Sequence, residues 1–362
     1  MKSNWQKDAI LALSNAIDRR IDLDANLYKR SRIYLDNEEY NQALTDINQA
    51  IGSRDNVGEY YLLRAKINRE LNAIDQALED VQRAEALQQS SPELYVLMAD
   101  ILQERKSYRE AQRYLNRAVQ MAPYEGSAYY VKGMMQSRLG DTLSGLASLA
   151  RAINYNPRLL RAYQQSTVIY TRLGDLTNAI RYNDLALKRF PKDPELYFEK
   201  AEIYRSAHQL DSALFSYKKA VALDPALPHA YYHMASIYFK WKVYAPALRA
   251  YEEVLKLNKD FPQAHYLIGL CYERLGNYDK AKEFYTLENE RDADEPLARA
   301  GLWRIQRYES MRYAPASDLI EDESDPRLVP RVLDTTRIKI NTIQPRRTLD
   351  MGTDTSRTIR IK

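Results

Sequence analysis

The stretch Arg274–Tyr285, RLGNYDKAKEFY, carries the features on which the fold assignment rests. Gly276 falls between two segments of helical composition, and a glycine at such a place is typical of the turn that ends one helix and precedes another. Ala281 lies in the second segment, where a small side chain lets two helices cross closely. The stretch therefore predicts a pair of helices joined by a short turn.

Small residues recur along the chain at constant 34-residue intervals, without an insertion. One series comprises Ala9, Ala43, Ala77, Ala111, Gly145, Ala179, Ala213, Ala247 and Ala281. A second comprises Ala16, Ala50, Ala84, Ala118, Ala152, Ala186 and Ala220, and a third Ser31, Ala65, Ala99, Gly133, Thr167, Ala201, Ala235 and Gly269. Three series in one register predict a stack of two-helix units, each packed on its neighbours.

This spacing, together with the sequence RLGNYDKAKEFY, closely resembles the tetratricopeptide repeat (TPR). The resemblance covers residues 1–295, and the register holds through eight full units from Asp24 to Glu295. It implies an all-α fold, a right-handed α-solenoid of TPR helix pairs whose first helices line a concave surface. It implies nothing about chemistry, because the family shares an architecture and not a reaction.

The repeat predicts a division of the chain into four parts. These are an N-terminal capping half-repeat (1–23), eight full repeat units (24–295), a C-terminal capping helix (296–312) and an extended, possibly β-forming tail (313–362). Residues 3–20 match only the second helix of a unit. Either this half-unit is itself the cap, or a longer natural chain has been trimmed, and trimming would allow a lost signal or lipid anchor.

The predicted capping helix has an apolar and a basic side. Leu297, Leu302, Trp303, Ile305 and Tyr308 follow helical spacing, and we expect Arg299, Arg304, Arg307 and Arg312 mostly on the opposite, outer side. Just before it, Glu288 stands where the register predicts a small apolar residue.

The composition favours a folded protein without a membrane span. Hydrophobic residues make up 45% and the net charge of +4 is small for 362 residues, so charge alone does not indicate a nucleic-acid or membrane partner. No apolar run approaches the roughly 20 residues that a transmembrane helix needs. We expect the cytoplasm by default, or the periplasm or outer membrane if a leader has been removed. The oligomeric state stays open.

No motif for catalysis is present. The chain has no GxxxxGK[ST], GxGxxG, GxSxG or HExxH pattern. His229 and His233 share a helix face, but no third metal ligand is evident nearby. The single cysteine, Cys271, fits a small packing residue better than a nucleophile. We therefore predict a non-enzymatic protein without a cofactor or a metal.

The resemblance implies which side chains face the concave groove. At these positions units two and three are aliphatic and acidic, whereas units four to eight are mostly aromatic and basic. The predicted partner-binding residues are Tyr130, Arg138, Arg172, Phe198, Arg205, Tyr232, Phe239, Lys240, Tyr266 and Arg274. Rings and arginines suit an extended peptide with acidic and apolar residues. The alternative is a solvated face whose rings pack on their neighbours; we favour binding because several rings would otherwise be exposed.

Two other kinds of ligand are disfavoured. No unit has the Lys and Asn pair that resembles the first part of the chaperone-binding carboxylate clamp. Single-stranded nucleic acid binds to rings and cations, but the acidic units two and three and the low net charge count against it.

The tail breaks the repeat. Five acids and no base lie between Tyr313 and Asp325, and the residues from Pro326 onward carry a balance of +6. Strand-like alternation occurs in Thr335–Ile343, TTRIKINTI, and again in Ser356–Lys362. The tail residues predicted to bind a partner are Ile338, Ile340, Ile359 and Ile361. Three interpretations compete: a segment without order, a strand added to a partner's sheet, or an acidic segment docked on the basic half of the groove.

These features predict a non-enzymatic scaffold or adaptor that holds other proteins, as extended peptides or within a multi-protein complex, by its groove and its tail. The alternatives are a peptide-sensing regulator whose tail occludes the groove, and a subunit of a bacterial cell-envelope assembly whose leader has been removed.

Overall fold

The described part of the chain is helical throughout. The computed structural model describes residues 4–292 and 296–313, which form 18 α-helices and no strand. The predicted all-α class is therefore confirmed. The predicted tail begins inside the last helix at Tyr313, and its remaining residues lie outside the described ones. None of the described helices is both long and apolar enough to cross a membrane.

The chain divides into two compact units, Met1–Ile169 and Tyr170–Lys362. The helices of unit 1 are α1 (Asn4–Asp18), α2 (Leu23–Asp36), α3 (Tyr40–Ser53), α4 (Gly58–Glu70), α5 (Ile74–Ala86), α6 (Pro92–Glu104), α7 (Tyr108–Met121), α8 (Gly126–Arg138) and α9 (Thr142–Tyr155). α10 (Leu160–Arg172) spans the boundary. Those of unit 2 are α11 (Leu176–Arg189), α12 (Pro194–Ser206), α13 (Leu210–Leu223), α14 (Pro228–Lys240), α15 (Tyr244–Leu257), α16 (Ala264–Arg274), α17 (Tyr278–Arg291) and α18 (Pro296–Tyr313).

Consecutive helices pack as pairs within each unit. In unit 1 the pairs are α2 with α3, α4 with α5, α6 with α7 and α8 with α9. In unit 2 they are α12 with α13, α14 with α15 and α16 with α17, and α18 lies on α17 and α16. We call the earlier member of each pair the first helix and the later member the second helix. The assignment of residues 24–295 to eight units stays a prediction.

The turn inside each pair uses the same backbone conformation. One residue per turn has a positive φ, at the same 34-residue intervals, namely Glu38, Asn72, Lys106, Gly140, Gly174, His208, Lys242 and Gly276. Only three of these are the glycines that the sequence singled out. The other five hold the left-handed conformation despite its cost, because the helices on both sides are fixed by packing.

The small-residue series mark the close crossings. Ala213 and Ala281 of the second helices are completely buried. At the facing positions of two first helices there is no room for a methyl group: a Cβ on Gly133 would lie 2.9 Å from the carbonyl oxygen of Gly145, and one on Gly269 would lie 2.8 Å from the ring of Tyr285. The crossings therefore admit only small side chains.

One expectation for the last helix needs correction, and the structure shows how the register accommodates Glu288. Arg304 of α18 does not face outward but donates to Glu273 of α16, with Nη2 to Oε2 at 2.8 Å, while Trp303 is 47% exposed. Glu288 occupies its small-residue position fully buried, with Oε2 at 3.5 Å from Nδ1 of His265. The apolar pattern could not show that Arg304 faces inward, because a bond to Glu273 of α16 decides its orientation.

A repeated ion pair ties three successive helices together in unit 1. Arg64 of α4 donates to the buried carboxylate of Asp80 on α5 at 2.6 Å and to Asn48 on α3 at 3.0 Å. Asn68 adds a bond to Asp80 at 2.9 Å. Because Asp80 is 3% exposed, its charge is stabilised by these partners and not by water.

The same arrangement occurs one repeat earlier in the chain. Arg30 of α2 donates to Asp46 on α3 at 2.7 Å and to Ser14 on α1 at 2.8 Å. Each arginine thus joins the helix before its pair to the second helix of the pair.

We expect Arg64→Ala to lower the free energy of unfolding by about 2–3 kcal/mol, because it leaves the carboxylate of Asp80 buried without its cation. Urea denaturation followed by circular dichroism measures the loss. Arg109→Ala removes an exposed arginine on α7 and should change the stability by less than about 0.5 kcal/mol. Equal stability of the two variants would show that Arg64 does not support Asp80.

Candidate partner-binding groove

The first helices of unit 1 face the inner side of a curved surface. Nη2 of Arg161, on α10, lies 3.4 Å from Oε1 of Glu70, on α4, although two other first helices lie between them. In a straight stack, α4 and α10 would be roughly 30 Å apart. Side chains that meet over this span must project into a concavity, as the family resemblance implies for these positions.

The charges of this surface in unit 1 neutralise one another. Arg138 binds Glu104 at 2.6 Å, and Arg69 binds Asp100 at 2.7 Å. Tyr130 lies among them, and burial, together with the charge of Asp100, raises the pKa of its hydroxyl. Of the predicted groove residues, Tyr130 and Arg138 are thus parts of an internal network.

In unit 2 the aromatic residues of the first helices pack on rings of the second helices. Three equivalent ring pairs recur at 34-residue intervals: Phe198–Tyr217, Tyr232–Tyr251 and Tyr266–Tyr285, with centroids 5.7, 5.9 and 5.7 Å apart. Each pair joins the two helices of one unit. The rings are therefore part of the packing between helices.

The burial of these rings removes one argument made from the sequence. Tyr232 is only 4% exposed and Tyr266 only 3%. The expectation that such rings would be open to solvent is wrong for both, because Tyr251 and Tyr285 cover them from the second helices. Phe198 and Tyr130 are half-buried.

The second-helix tyrosines send their hydroxyl groups to the first-helix face. Tyr217 donates to Glu202, and Tyr285 donates to Glu273 at 2.5 Å. The hydroxyl of Tyr251 lies 3.2 Å from that of Ser236. Tyr217, Tyr251 and Tyr285 were not among the predicted groove residues, although they follow one another at 34-residue intervals.

Glu202 is the centre of a polar cluster on α12 and α14. Arg205 binds its carboxylate at 2.6 Å, and Nε2 of His233 lies 3.6 Å away. Burial alone would raise the pKa of Glu202, but the bonds from Arg205 and Tyr217 bring that pKa below its ordinary value. Burial also lowers the pKa of His233 to about 4, so this histidine is neutral at pH 7. The predicted groove residue Arg205 therefore serves to hold Glu202.

Three predicted cations remain open. Arg172, Lys240 and Arg274 occupy the last residues of α10, α14 and α16; all are exposed, and none forms an ion pair with another described residue. We call these three residues the cation row. Phe239, next to Lys240, is half-buried with its ring against Tyr244 at 5.3 Å.

Among the described residues no group of three or more His, Cys, Asp or Glu side chains is placed to hold a metal ion. Cys271 is buried, and burial raises the pKa of its thiol to about 12. It is protonated at neutral pH and acts as a packing residue.

The buried histidine makes stability depend on pH. An unfolded chain protonates His233 below about pH 6.5, whereas the folded protein does so only near pH 4, so stability falls as the pH drops through this window. The shift corresponds to roughly 3 kcal/mol at pH 4. The lowered pKa of Glu202 makes the stability fall further only at pH values below the ordinary pKa of 4.5.

We therefore expect His233→Phe, which keeps the stacked ring, to flatten the fall in stability between pH 6.5 and pH 4.5. Urea titrations at several pH values measure the free energy of unfolding and hence its slope with pH. His208→Asn alters an exposed turn histidine and should retain the full fall. The smaller contribution of His229, whose pKa burial also lowers, should persist in both variants. A slope unchanged by His233→Phe would contradict the assignment.

Comparisons with known proteins bear on the family. Models of the tetratricopeptide repeat match residues 28–92, 92–125 and 169–228, and the model of anaphase-promoting complex, cyclosome, subunit 3 matches residues 206–286. No curated protein sequence matches the chain.

Solved structures similar to this one include PilF of Pseudomonas aeruginosa, with 13% identity and a TM-score of 0.46 over 60% of this chain and 97% of its own. Yeast Tom70 has 19% identity and a TM-score of 0.47 over 82% of this chain and 62% of its own. MamA has 18% identity and a TM-score of 0.42 over 54% of this chain and 98% of its own.

The family models match in both units, and the helix pairs keep the 34-residue spacing. The chain belongs to the tetratricopeptide repeat superfamily, whose repeats support a general role as a protein-interaction scaffold.

Proposed function

We propose that this protein is a non-enzymatic scaffold or adaptor that binds an extended, acidic segment of another protein along the first-helix face of unit 2. The cation row is the observation that carries the proposal. On this face Glu202 and Glu273 already have cations, whereas Arg172, Lys240 and Arg274 have no acidic partner among the described residues. These three exposed cations, each the last residue of a first helix, are free to bind the carboxylates of a partner.

The aromatic rings make this face rigid, since Phe198, Tyr232 and Tyr266 pack against the second-helix tyrosines. A rigid surface binds an extended peptide at a smaller entropic cost than a mobile one. Neighbouring first helices are about 10 Å apart. That distance equals about one turn, or three residues, of a polyproline II chain, so acids three residues apart would match Lys240 and Arg274.

We expect the triple variant Arg172→Glu/Lys240→Glu/Arg274→Glu to weaken partner capture at least about tenfold, because attraction becomes repulsion at three sites. Crosslinking capture identifies the partners, and titration at low and high salt measures the affinity. The matched control is Lys188→Glu/Arg249→Glu/Lys259→Glu, which reverses three exposed cations elsewhere in unit 2. Equal capture by both variants would exclude the cation row as the binding surface.

The tail is a second attachment device in this proposal. Its residues Ile338, Ile340, Ile359 and Ile361 lie outside the described residues, and their alternation with polar residues supports strand addition to a partner's sheet.

We expect Ile338→Pro/Ile340→Pro to abolish tail-dependent capture without changing the helical content, because proline removes two backbone donors and the apolar pair. Ile338→Val/Ile340→Val keeps both and is the control. Undiminished capture by the proline variant would exclude the strand.

A further inference from the structure

A polar cleft lies between the second helices α3 and α5 of unit 1. Leu44 and Asn48 line it from α3, and Gln76 and Glu79 line it from α5. Asn68 of α4, which is only 4% exposed, lies at its base. The cleft has a volume of about 340 Å³, and sites for small ligands or single side chains are of this size.

Larger side chains occupy the equivalent of Asn68 one repeat earlier and one repeat later. Tyr34 stands 34 residues before Asn68, and its ring centre lies 5.8 Å from the guanidinium of Arg30. Leu102 stands 34 residues after Asn68 and is buried, as is Met98 at the position of Arg64. A short amide at position 68 therefore leaves space that a tyrosine or a leucine would fill.

The charges that line the cleft favour a cation. The guanidinium of Arg64 lies against the carboxylate of Asp80, with Nη2 to Oδ1 at 2.6 Å and Nε to both oxygens at 3.0 Å, so these two charges compensate each other. Glu79 is exposed at the edge of the cleft and forms no ion pair with another described residue. One negative charge thus remains without a partner.

The base of the cleft also has an acceptor without a donor. Nδ2 of Asn68 donates to Oδ2 of Asp80 at 2.9 Å. Because a carboxylate only accepts, this bond fixes the orientation of the amide and leaves Oδ1 of Asn68 without a donor among the described residues. A buried amide oxygen needs such a donor.

A third acceptor is contributed by α3. Oδ1 of Asn48 accepts one bond, from Nη1 of Arg64 at 3.0 Å, and a carbonyl oxygen can accept two. Asn48, Asn68 and Glu79 therefore offer one oxygen acceptor from each of three helices.

We propose that this cleft binds the side-chain ammonium group of a lysine in a partner protein. An ammonium group has three N–H donors, which match the acceptors of Asn48, Asn68 and Glu79. Leu44 provides an apolar surface for the methylene groups of the lysine. A guanidinium suits the site less well, because its planar fork binds best to paired oxygens in one plane and these acceptors come from three helices.

This site goes beyond the proposed scaffold function. It lies between second helices of unit 1, whereas the cation row belongs to first helices of unit 2. It also takes a ligand of the opposite charge, so the protein would hold a basic partner in addition to an acidic one.

The test uses the full chain and a defined probe, N-acetyl-lysine methylamide. The side-chain amide resonances of Asn48 and Asn68, followed by NMR, report binding. We expect saturable shifts with a dissociation constant of about 1 mM, as is usual for so small a ligand. The Nε-acetylated probe, which has no charge, should give no saturable shift, and the arginine analogue should bind more weakly.

We expect Glu79→Gln to weaken binding of the lysine probe at least about fivefold, because it removes the unpaired charge and keeps the shape. Glu110→Gln neutralises an exposed acid on α7, outside the cleft, and should match the parent. Asn68→Leu copies Leu102 and should abolish the shift at Asn48, with circular dichroism as the check on folding.

Absence of saturable shifts at Asn48 and Asn68 in the parent would overturn the proposal. Equal binding of the Nε-acetylated probe, or equal affinity of the parent and Glu79→Gln, would do so as well, and tighter binding of the arginine analogue would overturn the choice of lysine. Should Asn68→Leu not fold, Glu79→Gln still decides, because Glu79 is exposed. Failure here does not affect the cation row, whose charge-reversal experiment involves none of these residues.

Discussion

The close crossing between the two helices of each pair is the constraint on which the rest of the structure depends. Where the helices approach so nearly that Gly133 and Gly269 cannot accept a Cβ, a shift of one residue along either helix would bring a large side chain into the contact. The crossings therefore fix the register of every pair. They also fix which side chains of the first helices face outward and which turn residues must adopt a positive φ.

The crossing also links the core of unit 2 to its first-helix face. The second helices of unit 1 carry Ile47, Val81, Leu115 and Leu149 at the position where α13, α15 and α17 carry Tyr217, Tyr251 and Tyr285. A tyrosine is long enough to cross the helix layer and to end in a hydroxyl group beyond it. The bulk of Tyr285 is accommodated by Gly269 and Gly301 on either side. The polar groups on the first-helix face of unit 2 are thus supplied partly by residues of the second helices.

The sequence predicted those properties that depend on spacing alone. The three small-residue series predicted the helix pairs, and the family resemblance implied the face to which Arg172, Lys240 and Arg274 belong. They could not predict which charges are already paired, because Arg161 meets a glutamate far away in the sequence, Glu70, through the curvature of unit 1. The sequence also misjudged Tyr232 and Tyr266, since their exposure depends on rings contributed by another helix. Glu38, Asn72, Lys106, His208 and Lys242 gave no composition signal for the left-handed turn that they adopt.

The arginine–aspartate bridges of unit 1 affect how the N-terminal end melts. Repeat proteins usually fray one unit at a time, because each contact is with a nearest neighbour. Arg30 bonds to α1 and α3, and Arg64 bonds to α3 and α5, so the two bridges share α3. Separation of α2, α3, α4 or α5 breaks a pair between an arginine and a buried aspartate, and separation of α1 removes the bond from Arg30 to Ser14. The first five helices should consequently open more cooperatively than nearest-neighbour packing alone would make them.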